Sequence, residues 1–109
     1  MKQELKPETG REAPLVSVCM PAHNAQRTIG EAVESVLNQD VSLELLIVED
    51  CSTDGTLAAA REFEKDPRVR VLVNSENLGA AKSRNKAVRS AAGKYVPFLD
   101  ADDRWAAGN

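Results

Sequence analysis

The sequence predicts an α/β protein with three layers, in which helices cover both faces of a mostly parallel sheet. Segments of strand length alternate with segments of helical periodicity, and short loops join them. The segment LELLIVE (43–49) is apolar almost throughout, which is typical of a strand covered by helices on both faces. Strands joined through helices in this order are expected to run parallel, with right-handed crossovers.

The first half of the chain supplies two strand-helix units. LVSVCM (15–20) predicts a strand, and TIGEAVESVLNQ (28–39) predicts a helix. That helix would place five apolar side chains on one face: Ile29, Ala32, Val33, Val36 and Leu37. After the second strand, residues 52–54 (Ser-Thr-Asp) are expected to cap a helix over TLAAAREFEK (56–65), with Gly55 at the tight turn.

The second half repeats the pattern. RVRVLV (68–73) alternates and predicts a third strand, at an edge of the sheet. LGAAKSRNKAVRSAAG (78–93) predicts a third helix that ends at a capping Gly93. YVPFL (95–99) predicts a fourth strand.

Composition limits the classes of function. With 109 residues there is room for one domain, which we place at residues 14–109 after a polar, disordered leader at 1–13. The formal net charge of −3 gives no general reason to bind nucleic acid or an acidic membrane surface. No apolar run approaches the roughly 20 residues of a membrane-spanning helix, so a cytoplasmic location is expected.

Two cysteines are too few for a disulfide framework, and both are expected to be reduced. A zinc site made of Cys19, His23 and Cys51 is disfavoured. It would have three ligands, and one of them lies in the middle of a strand.

Polar residues concentrate in four loops that follow the predicted strands. Ligands of parallel α/β sheets bind beyond the carboxyl ends of the strands, so the loops at 21–27, 50–55, 74–79 and 100–103 should be neighbours. Their acids would repel one another unless a cation lies among them, and carboxylate oxygens suit Mg²⁺ or Mn²⁺. The alternative is that these acids are ordinary solvated turn residues.

Three ordered motifs in these segments resemble a known family. VSVCMPAHNAQRTIGEAVESVLNQ (16–39), LLIVEDCSTDGT (45–56) and NLGAAKSRNKAVRSAAGKYVPFLDADD (77–103) are similar to the amino-terminal half of inverting, family-two glycosyltransferases. The resemblance implies the Rossmann-like nucleotide-diphospho-sugar transferase (GT-A) fold, truncated after the fourth strand. It also implies metal-assisted transfer of a sugar from a nucleoside diphosphate-sugar, with UDP favoured, to an acceptor hydroxyl.

The same resemblance assigns roles to individual residues. Asp50 is expected to hydrogen-bond the base, while Asp100 and Asp102 hold the ribose and the metal-bound diphosphate. Asp102 is the expected ligand of Mn²⁺ or Mg²⁺. The predicted nucleotide-sugar site also includes Pro21, Ala22, His23, Asn24, Glu49, Asn77, Gly79, Lys82, Arg84 and Ala101.

The sequence departs from the family pattern at two positions. The family commonly has Pro-x-Tyr-Asn after the first strand, and here His23 replaces the aromatic residue that packs on the base. An imidazole can still stack or hydrogen-bond, or it can act only as a loop cap. Glu49 stands where Asp is usual, so its contact is expected to differ.

The third helix presents basic and polar side chains. Lys82, Lys86 and Arg89 fall on one side and are expected to form a solvated face. The helical wheel places Asn85 in the centre of the apolar stripe, with Arg84 at its flank. Asn85 is expected to tie the preceding loop to the sheet, and Arg84 or Lys82 to approach the diphosphate.

The family supplies its catalytic base and acceptor pocket from a segment beyond its Asp-x-Asp motif. No catalytic residue is therefore assigned, and this chain alone is expected to bind nucleotide but transfer sugar poorly. The expected acceptor is a saccharide or lipid-linked saccharide, and the expected process is polysaccharide biosynthesis. The expected cytoplasmic location includes the inner face of the membrane. Self-association through the sheet edge after the fourth strand is a further expectation.

Two other functions are compatible with a small α/β unit. A receiver-like signalling domain would need its phosphoacceptor aspartate at the end of the third strand, where Asn74 stands. A non-catalytic interaction fragment would keep the fold and lose the chemistry.

Overall fold

The computed structural model describes residues 13–106, so the predicted leader lies almost wholly outside the described residues. Strands and helices alternate as predicted. A single 3₁₀ turn, Phe63–Lys65, extends the second helix. The elements in chain order are β1 (Val16–Ala22), α1 (Ile29–Leu37), β2 (Leu43–Asp50), α2 (Thr56–Glu62), β3 (Val69–Asn74) and α3 (Ala80–Ser90).

The sheet has the order β1-β2-β3, and both pairs of strands are parallel. In this register Val16 pairs with Leu43, and Leu45 pairs with Val69. β3 therefore forms one edge of the sheet, as its alternating sequence predicted. The carboxyl ends of all three strands point in one direction, which brings their following loops together.

Helices cover both faces of the sheet. Val18 and Met20 of β1 pack with α1 and with Ala60 of α2 in the larger core cluster. The intervening Cys19 faces the other way and packs in a second cluster with Ala87 of α3. Because side chains alternate along a strand, this division confirms the predicted three layers.

The predicted fourth strand at 95–99 lies parallel to β1, on the side opposite β2, but forms only isolated bridges with it. The N–H groups of Ser17 and Cys19 donate to the carbonyls of Tyr95 and Pro97, and Leu99 N–H donates to the Cys19 carbonyl. Pro97 has no N–H to complete the ladder between these bonds. The prediction of a regular strand was wrong for this reason, although the position in the sheet is that of a strand.

Gly93 is not the cap of α3. The helix ends at Ser90, and the residue after it, Ala91, is already extended with φ −76° and ψ 138°. Gly93 instead lies against β1, where its N–H donates to Ser17 Oγ over 2.7 Å. A Cβ atom on Gly93 would lie 2.7 Å from both the backbone nitrogen and Oγ of Ser17. The glycine is needed for close approach of two backbone segments.

Gly93→Ala is expected to destabilise the fold by about 1 to 3 kcal/mol, because the added methyl overlaps the β1 backbone. Gly30→Ala is the matched control, since its Cβ would meet only Phe63 Cζ at 4.0 Å. That change should stabilise α1 by about 0.5 to 1 kcal/mol through helix propensity. Urea unfolding of both variants measures the difference. Equal stability of the two variants would contradict the close-approach role of Gly93.

The face of α3 that packs on the sheet differs from the predicted one. Asn85 is exposed, and the buried residues of the helix are Ser83 and Ala87. The small Ala and Ser side chains of α3 give the hydrophobic pattern little contrast. Packing of small residues against the sheet decided the orientation instead. Asn85 therefore does not tie the loop to the sheet.

Within residues 13–106, no helix combines the length and apolar character that crossing a membrane requires.

Candidate functional site

A cleft of about 550 Å³ opens at the carboxyl ends of β1 and β2. Its walls come from the loop after β1, the end of β2, the start of α3 and the loop at 100–103. The convergence of loops expected from the topology is therefore present. Eight predicted site residues line the cleft: Pro21, Ala22, His23, Asn24, Asp50, Asp100, Ala101 and Asp102.

Asp50 is the buried polar centre of this region, with an exposed fraction of 3%. Its Oδ1 accepts hydrogen bonds from Leu78 N–H over 2.7 Å and from Asn74 Nδ2 over 2.9 Å. Its Oδ2 accepts one from Gly79 N–H over 2.8 Å. Burial tends to raise the pKa of Asp50, but these three donors and the nearby His23 lower it below its usual 3.8. The carboxylate is therefore ionised at neutral pH and acts only as an acceptor.

His23 joins the loop after β1 to the end of β2. Its Nδ1 lies 2.8 Å from the Asp50 carbonyl oxygen, so Nδ1 holds the hydrogen and donates it. Asn77 Nδ2 also lies near this oxygen, at 3.3 Å, which brings the loop after β3 to the same point. The imidazole is exposed along the cleft. His23 thus caps the loop and still presents a ring face to the cleft.

Asn24 holds the two loops at 21–27 and 50–55 together. It has the left-handed φ of 49°, which Asn tolerates better than most residues. Its N–H donates to Ser52 Oγ, and its Oδ1 accepts from Thr53 N–H over 2.8 Å. Asn24 therefore shapes the cleft wall through contacts with its neighbours.

The N-cap of α2 is Gly55, which has no side-chain cap bond. Of the predicted capping residues, Asp54 lies one residue earlier, and its Oδ1 accepts the Thr56 N–H over 2.9 Å. Glu49, by contrast, is buried and does not line the cleft. It points to the face opposite Asp50 and accepts the Ser52 N–H over 2.9 Å. This position orders the loop after β2, and the structure does not place Glu49 at the predicted nucleotide site.

The loop at 100–103 presents its acids separately. Asp100 lies 3.5 Å from Arg84, whose guanidinium also lies over the Phe98 ring at 5.8 Å from its centroid. Asp102 and Asp103 are exposed. Arg84 therefore contacts Asp100, which lines the cleft, but Arg84 itself lines a separate, smaller hollow with Phe98 and Asp103. Lys82 is exposed, and neither of the two predicted basic residues lines the cleft.

Repulsion among the acids at this edge of the sheet does not by itself require a metal ion. Asp50 is compensated by three N–H donors, and Asp100 faces Arg84. In the part of the chain that the structure describes, no group of three or more His, Cys, Asp and Glu side chains is arranged to hold a metal ion. A metal ion bound here would need oxygen atoms of a bound ligand, in addition to protein side chains, to complete its coordination.

The structure gives a further reason against a zinc site that includes Cys19. This side chain is fully buried between β1 and α3. Burial and the nearby Glu44 carboxylate raise the pKa of the Cys19 thiol to about 11, so it is protonated at neutral pH. A metal ligand would need the thiolate.

Sequence reasoning missed the polar side of α1, which holds the segment after Asp100. Thr28 Oγ1 donates to the Ala101 carbonyl over 2.9 Å, and Ser35 Oγ accepts the Trp105 N–H over 3.0 Å. Three further contacts follow the same face: Glu31 with Arg104, and Gln39 Nε2 with the Ser35 and Ala106 carbonyls. The helical spacing of Thr28, Glu31, Ser35 and Gln39 was the available signal.

The family model for glycosyl transferase family 2 matches residues 17–109, and it covers all the described helices and strands except the first residue of β1. The chain belongs to glycosyl transferase family 2. This membership disfavours the receiver-like alternative, as does the buried Asn74 at the end of β3.

Curated relatives of this family 2 chain carry related names. It is 51% identical over 94 residues to the putative teichuronic acid biosynthesis glycosyltransferase TuaG of Bacillus subtilis, covering 84% of this chain and 37% of that protein. It is 44% identical over 94 residues to the Escherichia coli UDP-Glc:alpha-D-GlcNAc-diphosphoundecaprenol beta-1,3-glucosyltransferase WfgD, covering 85% and 37%.

Solved structures show the same fold. The S. aureus TarS 1–349 complex with UDP-GlcNAc has a TM-score of 0.77 and 34% identity, covering 83% of this chain and 27% of that one. The mannosyltransferase PcManGT from Pyrobaculum calidifontis, with GDP-Man and Mn²⁺, has a TM-score of 0.79 and 32% identity, covering 98% and 32%. These likenesses confirm the predicted GT-A fold. The chain spans about a third of the length of these proteins.

Proposed function

We propose that this chain forms the donor-binding region of a glycosyltransferase that uses a UDP-sugar and a divalent metal. The observation that supports it best is the buried, ionised Asp50 at a cleft that Asp102 also lines. The family membership and the nucleotide-sugar complexes of TarS and PcManGT agree with a donor site at this place in the fold.

The hydrogen-bond capacity of Asp50 favours particular bases. Among the described residues its Oδ2 receives one hydrogen bond, from Gly79, which leaves a second lone pair for a ligand donor. Uracil N3 and guanine N1 bear a hydrogen, whereas the corresponding ring nitrogens of cytosine and adenine are acceptors and would meet the carboxylate unfavourably. We favour uracil, because WfgD is named for UDP-Glc and TarS was solved with UDP-GlcNAc.

Asp102 is the residue we propose to hold Mn²⁺ or Mg²⁺. Its carboxylate is exposed on the cleft wall and makes no hydrogen bond or ion pair with any other residue in the range 13–106, so it is available as a ligand. Its loop is anchored by the bond from Thr28 to Ala101. A metal there would stabilise the negative charge that develops on the leaving diphosphate.

Arg84 contacts Asp100, one of the residues that line the cleft, although it does not line the cleft itself. Its guanidinium is half-buried between Asp100 and the Phe98 ring, which orients it without consuming all of its five donors. A diphosphate oxygen is a good acceptor for the remaining donors. We propose Arg84, rather than Lys82, as the basic contact to the diphosphate.

We also propose where the remaining steps of sugar transfer take place. The general base and the acceptor pocket are proposed to lie outside these 109 residues, so that the chain alone binds nucleotide and transfers sugar poorly. A saccharide on a lipid carrier is the proposed acceptor class, because WfgD is named for a diphosphoundecaprenol-linked one. This suggests the cytoplasmic face of the membrane, in polysaccharide biosynthesis. Self-association through segment 95–99 is also proposed.

Calorimetric titration with UDP and CDP, each with and without Mn²⁺, tests the donor site. We expect UDP to bind only weakly without Mn²⁺, and CDP to bind at least about tenfold more weakly than UDP because its N3 cannot donate to Asp50. Failure of the folded chain to bind UDP in the presence of Mn²⁺ would overturn the proposal. Equal affinities for UDP and CDP would overturn the role of Asp50 in base selection.

A further inference from the structure

The sequence predicted that Lys86 lies on a solvated face of α3 with Lys82 and Arg89, but the structure gives Lys86 two contacts with the protein. Its side chain is half-buried, and its Nζ donates to the Val73 carbonyl over 3.1 Å and to Asn74 Oδ1 over 2.8 Å. Lys82 and Arg89, the other two bases of that predicted face, are exposed. Lys86 is therefore the base on α3 that bonds to the end of β3.

Asn74 receives this bond inside the protein, with an exposed fraction of 3%. Its Nδ2 donates to Asp50 Oδ1 over 2.9 Å and to Ser83 Oγ over 3.1 Å. An ammonium group has donors only, so Lys86 can bond to the oxygen of the amide and not to its nitrogen. Lys86 thereby stabilises the amide orientation in which Nδ2 points at Asp50.

The orientation of Asn74 decides which oxygen of Asp50 stays available. With Asn74 and Leu78 both donating to Oδ1, that oxygen has used its two lone pairs. Oδ2 has one bond, from Gly79, and keeps the other lone pair. Without the Asn74 bond, Oδ1 would also keep a free lone pair beside its bond from Leu78, so the open acceptor would no longer be confined to Oδ2.

We propose that Lys86 is a positioning residue for nucleobase binding, acting through Asn74 on the carboxylate of Asp50. This inference rests on the proposed donor site. Lys86 does not line the cleft, so its ammonium group is not a ligand contact. It affects the ligand only through the fixed acceptor that Asp50 presents.

The test compares UDP with inorganic pyrophosphate, each titrated in the presence of Mn²⁺. Pyrophosphate has no base and reports on the metal and diphosphate contacts alone. Lys86→Met, which keeps the length of the side chain and removes its donors, should weaken UDP binding about 3- to 10-fold, as expected for a lost hydrogen bond. Pyrophosphate binding should not change.

Two further variants separate positioning from general effects of charge and folding. Arg89→Met removes an exposed base from the same helix and should leave both affinities unchanged. Lys86→Arg retains donors that can reach Asn74 and should restore most of the UDP affinity. If Lys86→Met does not fold by circular dichroism, Lys86→Leu, which also lacks a donor, replaces it with the same two titrations.

The outcomes are distinct. Equal weakening of UDP and pyrophosphate would overturn the inference, as would unchanged UDP affinity accompanied only by a lower melting temperature. UDP binding to Lys86→Arg no better than to Lys86→Met would also contradict it. Absence of UDP binding to the unmodified chain would instead overturn the proposed function.

Discussion

Asp102→Ala is expected to abolish the Mn²⁺ dependence of UDP binding and to weaken binding in the presence of Mn²⁺ by at least about 10- to 100-fold. Asp102 is the exposed cleft carboxylate with no partner within residues 13–106, so its loss removes the protein's main contribution to the metal. The same exposure means that folding stability should change by no more than about 0.5 kcal/mol. Calorimetry and thermal unfolding measure the two effects separately.

Asp103→Ala is the matched control for this experiment. Asp103 is the neighbouring exposed aspartate, but it does not line the cleft, and its carboxylate accepts the Arg104 N–H. Removing it subtracts the same charge from the same loop. If Asp103→Ala weakened metal-dependent binding as much as Asp102→Ala, the effect would be one of loop charge. Full retention of Mn²⁺-dependent binding by Asp102→Ala would contradict its role as ligand.

Asp50→Asn is expected to lower the free energy of unfolding by about 2 to 4 kcal/mol and to remove detectable UDP binding. In the asparagine side chain an NH₂ group replaces one of the two carboxylate oxygens. In Asp50 one oxygen accepts the Leu78 N–H and the other accepts the Gly79 N–H. One of these buried donors then faces another donor and stays unsatisfied. Urea unfolding at pH 7 measures the stability change, with Asp40→Asn in an exposed loop as the control.

The stability difference should depend on pH in a defined direction. The pKa of Asp50 is lower in the folded chain than its usual 3.8, so its contribution to stability is fully present above that value. The contribution is lost as the pH falls through the folded pKa. Asp54 and Asp66, whose pKa values are also lowered, titrate in both proteins and cancel in the comparison.

The gap between the unmodified chain and Asp50→Asn should therefore be constant from about pH 5 to 7 and shrink below about pH 4. Urea unfolding measured across this range gives the difference at each pH. A gap that did not change with pH would show that the carboxylate charge of Asp50 does not stabilise the fold.

The sequence by itself determined the order and type of the elements from β1 to α3, whereas the predicted fourth strand is irregular. Hydrophobic periodicity depends on neighbouring residues, and it was strong in β1, α1, β2 and α2. The parallel arrangement then placed the four loops at one edge of the sheet, because strands of one direction end on one side. The motifs in those loops indicated the family before any distance was known.

Only the tertiary structure decided which hydrogen-bond donors and cations pair with the carboxylates at that edge. Asp50 meets donors from residues 24 to 29 positions away, and Arg84 of α3 meets Asp100 in the loop at 100–103. Such pairings depend on how α3 packs on the sheet, and its small side chains gave the local pattern too little contrast to predict its buried face. The same packing brings Lys86 to Asn74, a contact that no spacing in the sequence indicated.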